Sequence, residues 1–316
     1  MTAVPIALIV FNRPKLTERT FAVIRAQRPQ KLFLIADGPR ENRPEDAEKC
    51  AEVRAILEKV NWPCEVYRNY SDHNLGCKYR PKTGIDWVFQ HVDRAIILED
   101  DCLPHADFFS FCQLMLERYS TDERISLVTG NNFQDGQWRG DASYYFSRYP
   151  HTWGWATWAR AWQHNDSDIA FWPEWKQSDQ WRRFWRDRTA RKYWEDIFDK
   201  VYNKNFESAW DYAWVASIWR HGGLTVTPNV NLVSNIGFGQ DATHTLSANS
   251  AMADMLLGTL GPISHPEVVS VDDSADRYDF DMAYGGKYLR SWQYRVRMLR
   301  ALPGAVYRKL FVTKHT

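Results

Sequence analysis

Glu99-Asp100-Asp101 are three carboxylates in a row, set directly after the apolar run Ala95-Ile96-Ile97-Leu98. Adjacent carboxylates suit a hard divalent cation, which can in turn hold phosphate oxygens. The same triplet would also serve as a solvated acidic turn between a strand and a helix. Arg13 follows a second apolar run, residues 5–11, and Asp37 follows a third, residues 32–36. A guanidinium offers a forked donor to phosphate or carboxylate. Further along, Trp210-Asp211-Tyr212-Ala213-Trp214 places one carboxylate among aromatic rings. On a helix, a carboxyl walled by aromatics has a raised pKa and suits general-base work. It would equally be an acid favoured by the helix dipole. Trp153-Gly154-Trp155 sets a glycine between two rings that could stack on sugars. A glycine-bearing loop, residues 236–244, ends in His244.

These residues need elements to position them. Apolar and β-branched runs predict strands at 5–11, 32–36, 64–67, 94–98 and 125–129. Helical spacing of apolar residues predicts helices at 15–27, 44–60, 83–91 and 106–119, with a polar loop at 69–76. Alternating strands and helices predict an α/β fold with a doubly wound, largely parallel sheet flanked by helices. In such sheets ligands bind beyond the carboxyl ends of the strands, so Arg13, Asp37, Asp100 and Asp101 should converge on one cleft. Neither a G-x-G-x-x-G after the first strand nor a P-loop occurs, which weighs against dinucleotide-binding and P-loop classes.

The second half loses the alternation. It predicts helices over 171–194 and 207–219 and short strands at 224–227 and 230–233. Of sixteen tryptophans, thirteen lie between Trp138 and Trp219; a tryptophan-rich core layer accounts for most of them. Residues 250–286 are acidic, with Asp272, Asp273, Asp276, Asp279 and Asp281; residues 287–316 carry eight Lys/Arg and no acid. A basic amphipathic tail of this kind can lie on an anionic membrane surface or dock on its own acidic body.

The chain has 316 residues and a net charge of +1, so nucleic acid is not an indicated partner. Five cysteines with no C-x-x-C pair fit a reducing compartment and argue against a zinc ribbon or a disulfide framework. The first residues lack a basic n-region, and no apolar run approaches the roughly 20 residues of a spanning helix. The expectation is a cytoplasmic protein.

Taken in order, Asn12-Arg13, Asp37-Gly38, Glu99-Asp100-Asp101, the apolar segment 104–109, Trp153-Gly154-Trp155, Trp210-Asp211 and the loop to His244 resemble nucleotide-sugar glycosyltransferases of the GT-A fold. More narrowly, they are similar to N-acetylglucosaminyltransferase I and its bacterial relatives among family 2-like enzymes. The resemblance spans about residues 5–245. It implies a catalytic domain over 1–249, with a nucleotide-sugar half (1–130) and an acceptor half (131–249), and a C-terminal acidic linker and basic tail over 250–316. Arg13 and Asp37 would contact the pyrophosphate and base of the donor. Asp100, with Glu99 beside it in the acid motif, would contact ribose or sugar, and Asp101 would hold Mn²⁺ or Mg²⁺. His244 is a second candidate ligand. Asp211 would be the catalytic base, and Trp153, Trp155 and Trp210 would face the acceptor. Where the family has an acid after Trp-Asp, this chain has Tyr212, which leaves the acceptor side open. The implied activity is inverting, metal-dependent transfer from a nucleotide-diphosphate donor, UDP-linked by expectation, to a glycan or lipid-linked glycan in surface polysaccharide synthesis, on the inner face of a membrane. A sugar-nucleotide pyrophosphorylase would need glycines where Phe11-Asn12-Arg13-Pro14 stands. A non-catalytic carbohydrate-binding module would leave the carboxylates and Arg13 without a role.

Overall fold

The computed structural model describes residues 3–205, 210–238 and 255–300. Strand and helix alternate at first: β1 (Ile6–Val10), α1 (Pro14–Gln27), β2 (Lys31–Ala36), α2 (Glu45–Leu57), β3 (Glu65–Tyr70), α3 (Gly76–Val88) and β4 (Arg94–Glu99). Then come the short β5 (Cys102–Pro104), α4 (Ala106–Arg118), β6 (Ile125–Thr129), β7 (Tyr144–Ser147) and β8 (Trp155–Trp158). The helices α5 (Ala159–Trp162), α6 (Trp172–Gln177), α7 (Asp179–Phe184), α8 (Arg188–Tyr202) and α9 (Asp211–Arg220) form the aromatic region. The described chain closes with β9 (Leu224–Pro228), β10 (Val233–Asn235), α10 (Asp273–Ala283), α11 (Gly286–Leu289) and α12 (Trp292–Arg300).

The strands build a large mixed sheet in the order β3-β2-β1-β4-β8-β6-β9-β7. β3, β2, β1 and β4 are parallel neighbours, as the alternation predicts. β8 enters antiparallel between β4 and β6, and β7 closes the far edge antiparallel to β9. A separate two-stranded ribbon pairs β10 with β5. Residues alternate faces along a strand. Ile6, Leu8 and Val10 of β1 therefore pack into the layer holding Phe21, Ile24 and Phe108. Ala7 and Ile9 pack into the opposite layer, with Phe33, Ile85 and Trp155.

That second layer absorbs the tryptophans. Trp155, Trp172, Trp175, Trp181, Trp194, Trp214 and Trp219 are all fully buried. Short helices over a sheet face leave wide gaps, which large rings fill. Several indole N–H groups find acceptors at the layer's margin: Trp172 on Asp199 (2.9 Å), Trp181 on Glu195 (3.0 Å) and Trp162 on Asp86 (2.8 Å). Among the described residues, only Trp138 and Trp292 are exposed tryptophans.

Three expectations change. The helix expected from residue 83 begins at Gly76, because the Asp37 carboxylate accepts the amides of Leu75 and Gly76 at its entry. Side chain-to-backbone bonds of this kind let a loop-like sequence enter a helix. The strand expected at 230–233 forms as β10, at Val233–Asn235. The stretch read as an acidic linker is, where described, part of the body. Val271 bridges Phe146, and Asp276 accepts from Ser147 Oγ (2.6 Å) and Arg148 Nη1 (2.8 Å). Asp279 meets Gln134 Nε2, and its other oxygen lies 3.1 Å from His151 Nε2. Buried carboxylates need such partners, and the partners stand in and around β7. Among the described residues no helix is long and apolar enough to cross a membrane. All five cysteines are free, with Cys50, Cys102 and Cys112 buried.

Candidate active site

The carboxyl ends of β1 and β4 meet at Arg13 and the acidic triplet. β1 and β4 run side by side with Ile9 opposite Glu99, so both chains leave the sheet together. The Arg13 guanidinium pairs with Asp100 through Nη2 and reaches Asp101 Oδ2 at 2.9 Å through Nη1. Asp100 is buried and also accepts the Phe11 amide at 3.3 Å. The triplet's backbone is clamped from α1, where buried Thr20 donates to the carbonyl of Asp100 (3.0 Å) or of Cys102 (3.2 Å).

One guanidinium does not balance this cluster. Burial, followed by the charges of Asp101 and Asp100, pushes the Glu99 carboxyl up to about 8. Burial also raises Asp100, with Arg13 opposing. The charge of Asp211 adds a smaller upward push on Glu99 and on the Cys77 thiol, so the start of α9 lies near the triplet. With Glu99 largely protonated at neutral pH, Asp100, Asp101 and the nearby Asp211 still outnumber the one arginine, and a further cation would relieve the excess. The donors are hard oxygens, which fits Mg²⁺ or Mn²⁺. Among the described residues no group of three or more His, Cys, Asp or Glu side chains is placed to hold a metal ion by itself. His244 lies outside the described residues.

Asp101 is held from the opposite side by the chain after β10. The Ile236 amide donates to the Asp101 carbonyl at 2.8 Å, and the Gly237 amide to Asn235 Oδ1 at 2.8 Å. A Cβ on Gly237 would lie 2.7 Å from Asp101 Cβ, so only glycine allows this approach. The pairing of Asn235 with Cys102 in the β5–β10 ribbon fixes that register.

Asp37 stands at the end of β2 with its carboxylate saturated. It accepts the amides of Gly38 (2.9 Å), Leu75 (2.9 Å) and Gly76 (3.0 Å) and Asn74 Nδ2 (3.1 Å). Burial raises its carboxyl against those amides. Its evident work here is to hold the entry of α3 against the end of β2. Asp46, in the first turn of α2, does similar work between the other loops. It accepts Asn12 Nδ2 (2.6 Å) and the Arg40 side chain (2.6 and 3.0 Å), and Arg40 lies over the Phe11 ring at 5.3 Å. Sequence reasoning missed Asp46, because one acid in a charged helix carries no distinguishing pattern. It missed Gly237 and the His151–Asp279 pair for the same reason: their meaning is set by chain segments far away in sequence.

The aromatic candidates separate. Trp155 is fully buried, stacked on Trp210 at 5.8 Å and against Trp162 and Trp214. It is a core ring and cannot be an acceptor platform. Trp210 is itself mostly buried on that stack. Trp153 is half-buried, edge-on to Phe133 (5.5 Å) and Phe238 (5.7 Å), next to the loop that abuts Asp101. Gly154 turns the chain between Trp153 and Trp155 at φ +71°, where a Cβ would lie 2.7 Å from Val233 Cγ2 and 3.3 Å from Leu98 Cδ2. The glycine thus sends one ring inward and leaves the other near the site.

No protein-family model matches the chain. No curated protein matches it either. Among solved structures it is similar to the mannosyltransferase PcManGT from Pyrobaculum calidifontis, in complex with GDP-Man and Mn²⁺, at 13% identity and a TM-score of 0.32. That likeness covers 49% of this chain and 44% of the mannosyltransferase, so the chain spans less than half the length of that relative. HddC from Yersinia pseudotuberculosis is similar at 11% identity and a TM-score of 0.29, over 51% of this chain and 78% of that one. Likenesses this partial carry no argument about chemistry.

Proposed function

We propose that the chain is an inverting, metal-assisted glycosyltransferase of the GT-A type, moving a sugar from a nucleotide diphosphate, UDP by preference, to a glycan acceptor in surface polysaccharide synthesis. The observation that carries this reading is the under-neutralised triplet Glu99-Asp100-Asp101 at the carboxyl edge of the parallel strands, braced by Arg13 and approached by Asp211. The tryptophan count no longer favours a sugar-binding module, since most of those rings are core.

In this reading Arg13 keeps Asp100 and Asp101 in register and can turn part of its fork toward the donor's diphosphate. Asp101 would hold Mg²⁺ or Mn²⁺, which would offset the negative charge growing on the leaving diphosphate. Asp211 takes the proton of the acceptor hydroxyl as its oxygen attacks the anomeric carbon. The bond from that carbon to the diphosphate oxygen breaks in the same step. With a base and no protein nucleophile, one displacement inverts the anomeric centre. Trp153 offers the acceptor a ring face or edge beside the site. The test is Asp211→Asn. Donor binding should be unchanged and transfer should fall by about 10²–10⁴-fold; transfer at the parent rate would remove Asp211 from the base role.

A further inference from the structure

A distinct surface is built by the C-terminal helices. Met282, Tyr288 and Trp292 are exposed at 51%, 43% and 73%. Met282, Lys287, Tyr288 and Gln293 line one shallow depression. Arg297 Nη1 lies 3.4 Å from Tyr288 Oη, and the Tyr294 ring lies 5.6 Å from that of Tyr288. Lys287 and Arg297 are exposed and form no ion pair among the described residues. Asp281, which lines the same depression, is taken by Arg290, which also pairs with Asp187 of the body, and the exposed Asp273 at the far end of α10 is paired with Arg148. Arg290 therefore works as an anchor, its guanidinium 5.2 Å over the Phe280 ring. Gly285, at φ +71°, and Gly286, where a Cβ would lie 2.6 Å from Phe280 Cε1, let α11 fold close against α10. The result is a platform tied to the body, with aromatic and thioether side chains outward and cations beside them.

Charge is segregated to match. Residues 287–316 contribute eight Lys/Arg and no acid, while the whole chain is only +1, so the rest of the chain is net acidic. Against a negatively charged sheet, the exposed Lys287 and Arg297 favour turning the platform inward, with the net acidic body outward. Tyr and Trp favour the headgroup level of a bilayer, where a ring can be half-dry while its polar edge stays wet. Cations beside an anionic leaflet are drawn to it, and salt screens that attraction.

We propose that this platform, formed by α10 to α12, docks the protein onto an anionic lipid bilayer, with Tyr288 and Trp292 in the headgroup layer and Lys287 and Arg297 against the anionic headgroups. The test uses the intact protein in co-sedimentation with phosphatidylcholine vesicles, with and without phosphatidylglycerol. Binding should require phosphatidylglycerol and decline with salt. The double variant Lys287→Glu/Arg297→Glu should bind on the order of tenfold or more weakly, and Trp292→Ala should also bind more weakly. All these positions are exposed, so the variants should fold, and UDP binding should stay at the parent level in each. That second readout separates failure of docking from failure of the transferase reading. Absence of vesicle binding, equal binding to neutral vesicles, or variants that bind like the parent would overturn the proposal. So would Trp292→Ala converting a dimer to a monomer, which would make the platform an interface between copies of this chain.

Discussion

Arg13 and Asp100 form an ion pair that ties the end of β1 to the end of β4, and the same guanidinium reaches Asp101 at 2.9 Å. Removing one partner of such a pair leaves a buried charge with no counterpart. Arg13→Ala should therefore lower stability by about 3 kcal/mol, the lower end of the range for buried pairs because Arg13 keeps some exposure. Urea unfolding checks this. Arg13→Lys should recover only part of the loss, since an ammonium restores charge but not the fork. A parent-like midpoint in Arg13→Ala would mean that Asp100 is satisfied by other groups.

Gly237 gives a sharper test of the site than of the fold. Its neighbour is the Asp101 side chain, and an added Cβ must displace that carboxylate. Gly237→Ala should keep a cooperative unfolding transition and lose most metal-dependent nucleotide affinity, about tenfold or more, the range for disturbed metal surroundings. Unchanged affinity would show that Asp101 can move without consequence.

Asp46 sets an acid limit on stability. Hydrogen bonds from Arg40, helped by Asn12, hold its carboxyl below the ordinary value, against burial. The native state then binds fewer protons than the unfolded chain, whose carboxyl titrates near about 3.9. Its contribution is complete above that value and is lost as pH falls through the lower folded value. Between pH about 5 and about 2 the parent should lose more stability than Asp46→Asn does. Thermal unfolding over that range measures the difference; parallel curves would count against the assignment.

Much of this site can be read from the chain, and the reason is local. Strand ends are marked by where apolar runs stop, so Arg13, Asp37 and Glu99-Asp100-Asp101 declare their positions in sequence. The parallel alternation of β1 to β4 has the same origin. What cannot be read depends on distant partners. Whether Trp155 or Trp153 faces inward is decided by Val233 and Leu98 packing on Gly154. Whether 272–281 is a linker is decided by Ser147, Arg148, His151 and Gln134, more than a hundred residues earlier. Polar composition at 74–76 suggests a loop until the Asp37 acceptor is known.

The C-terminal acids lead to a prediction about chain integrity. Asp276 and Asp279 are buried among residues flanking β7 and β8. A chain ending at residue 254 should not fold cooperatively, because Arg148, His151 and Gln134 lose their carboxylate partners and an apolar surface under Phe280 and Tyr284 opens. Circular dichroism melting of the truncated chain checks this. A cooperative transition near that of the full chain would restore residues 1–249 as a free-standing domain.

The measurement that reaches furthest is calorimetric titration of UDP, with and without Mn²⁺, into the full chain and into Asp101→Ala. The expected result is UDP binding that depends on Mn²⁺ in the parent and is lost in the variant, with the unfolding midpoint of the variant close to parental. Metal-independent UDP binding, or equal binding by Asp101→Ala, would contradict the assignment of the β4 carboxylates to a metal-held nucleotide diphosphate.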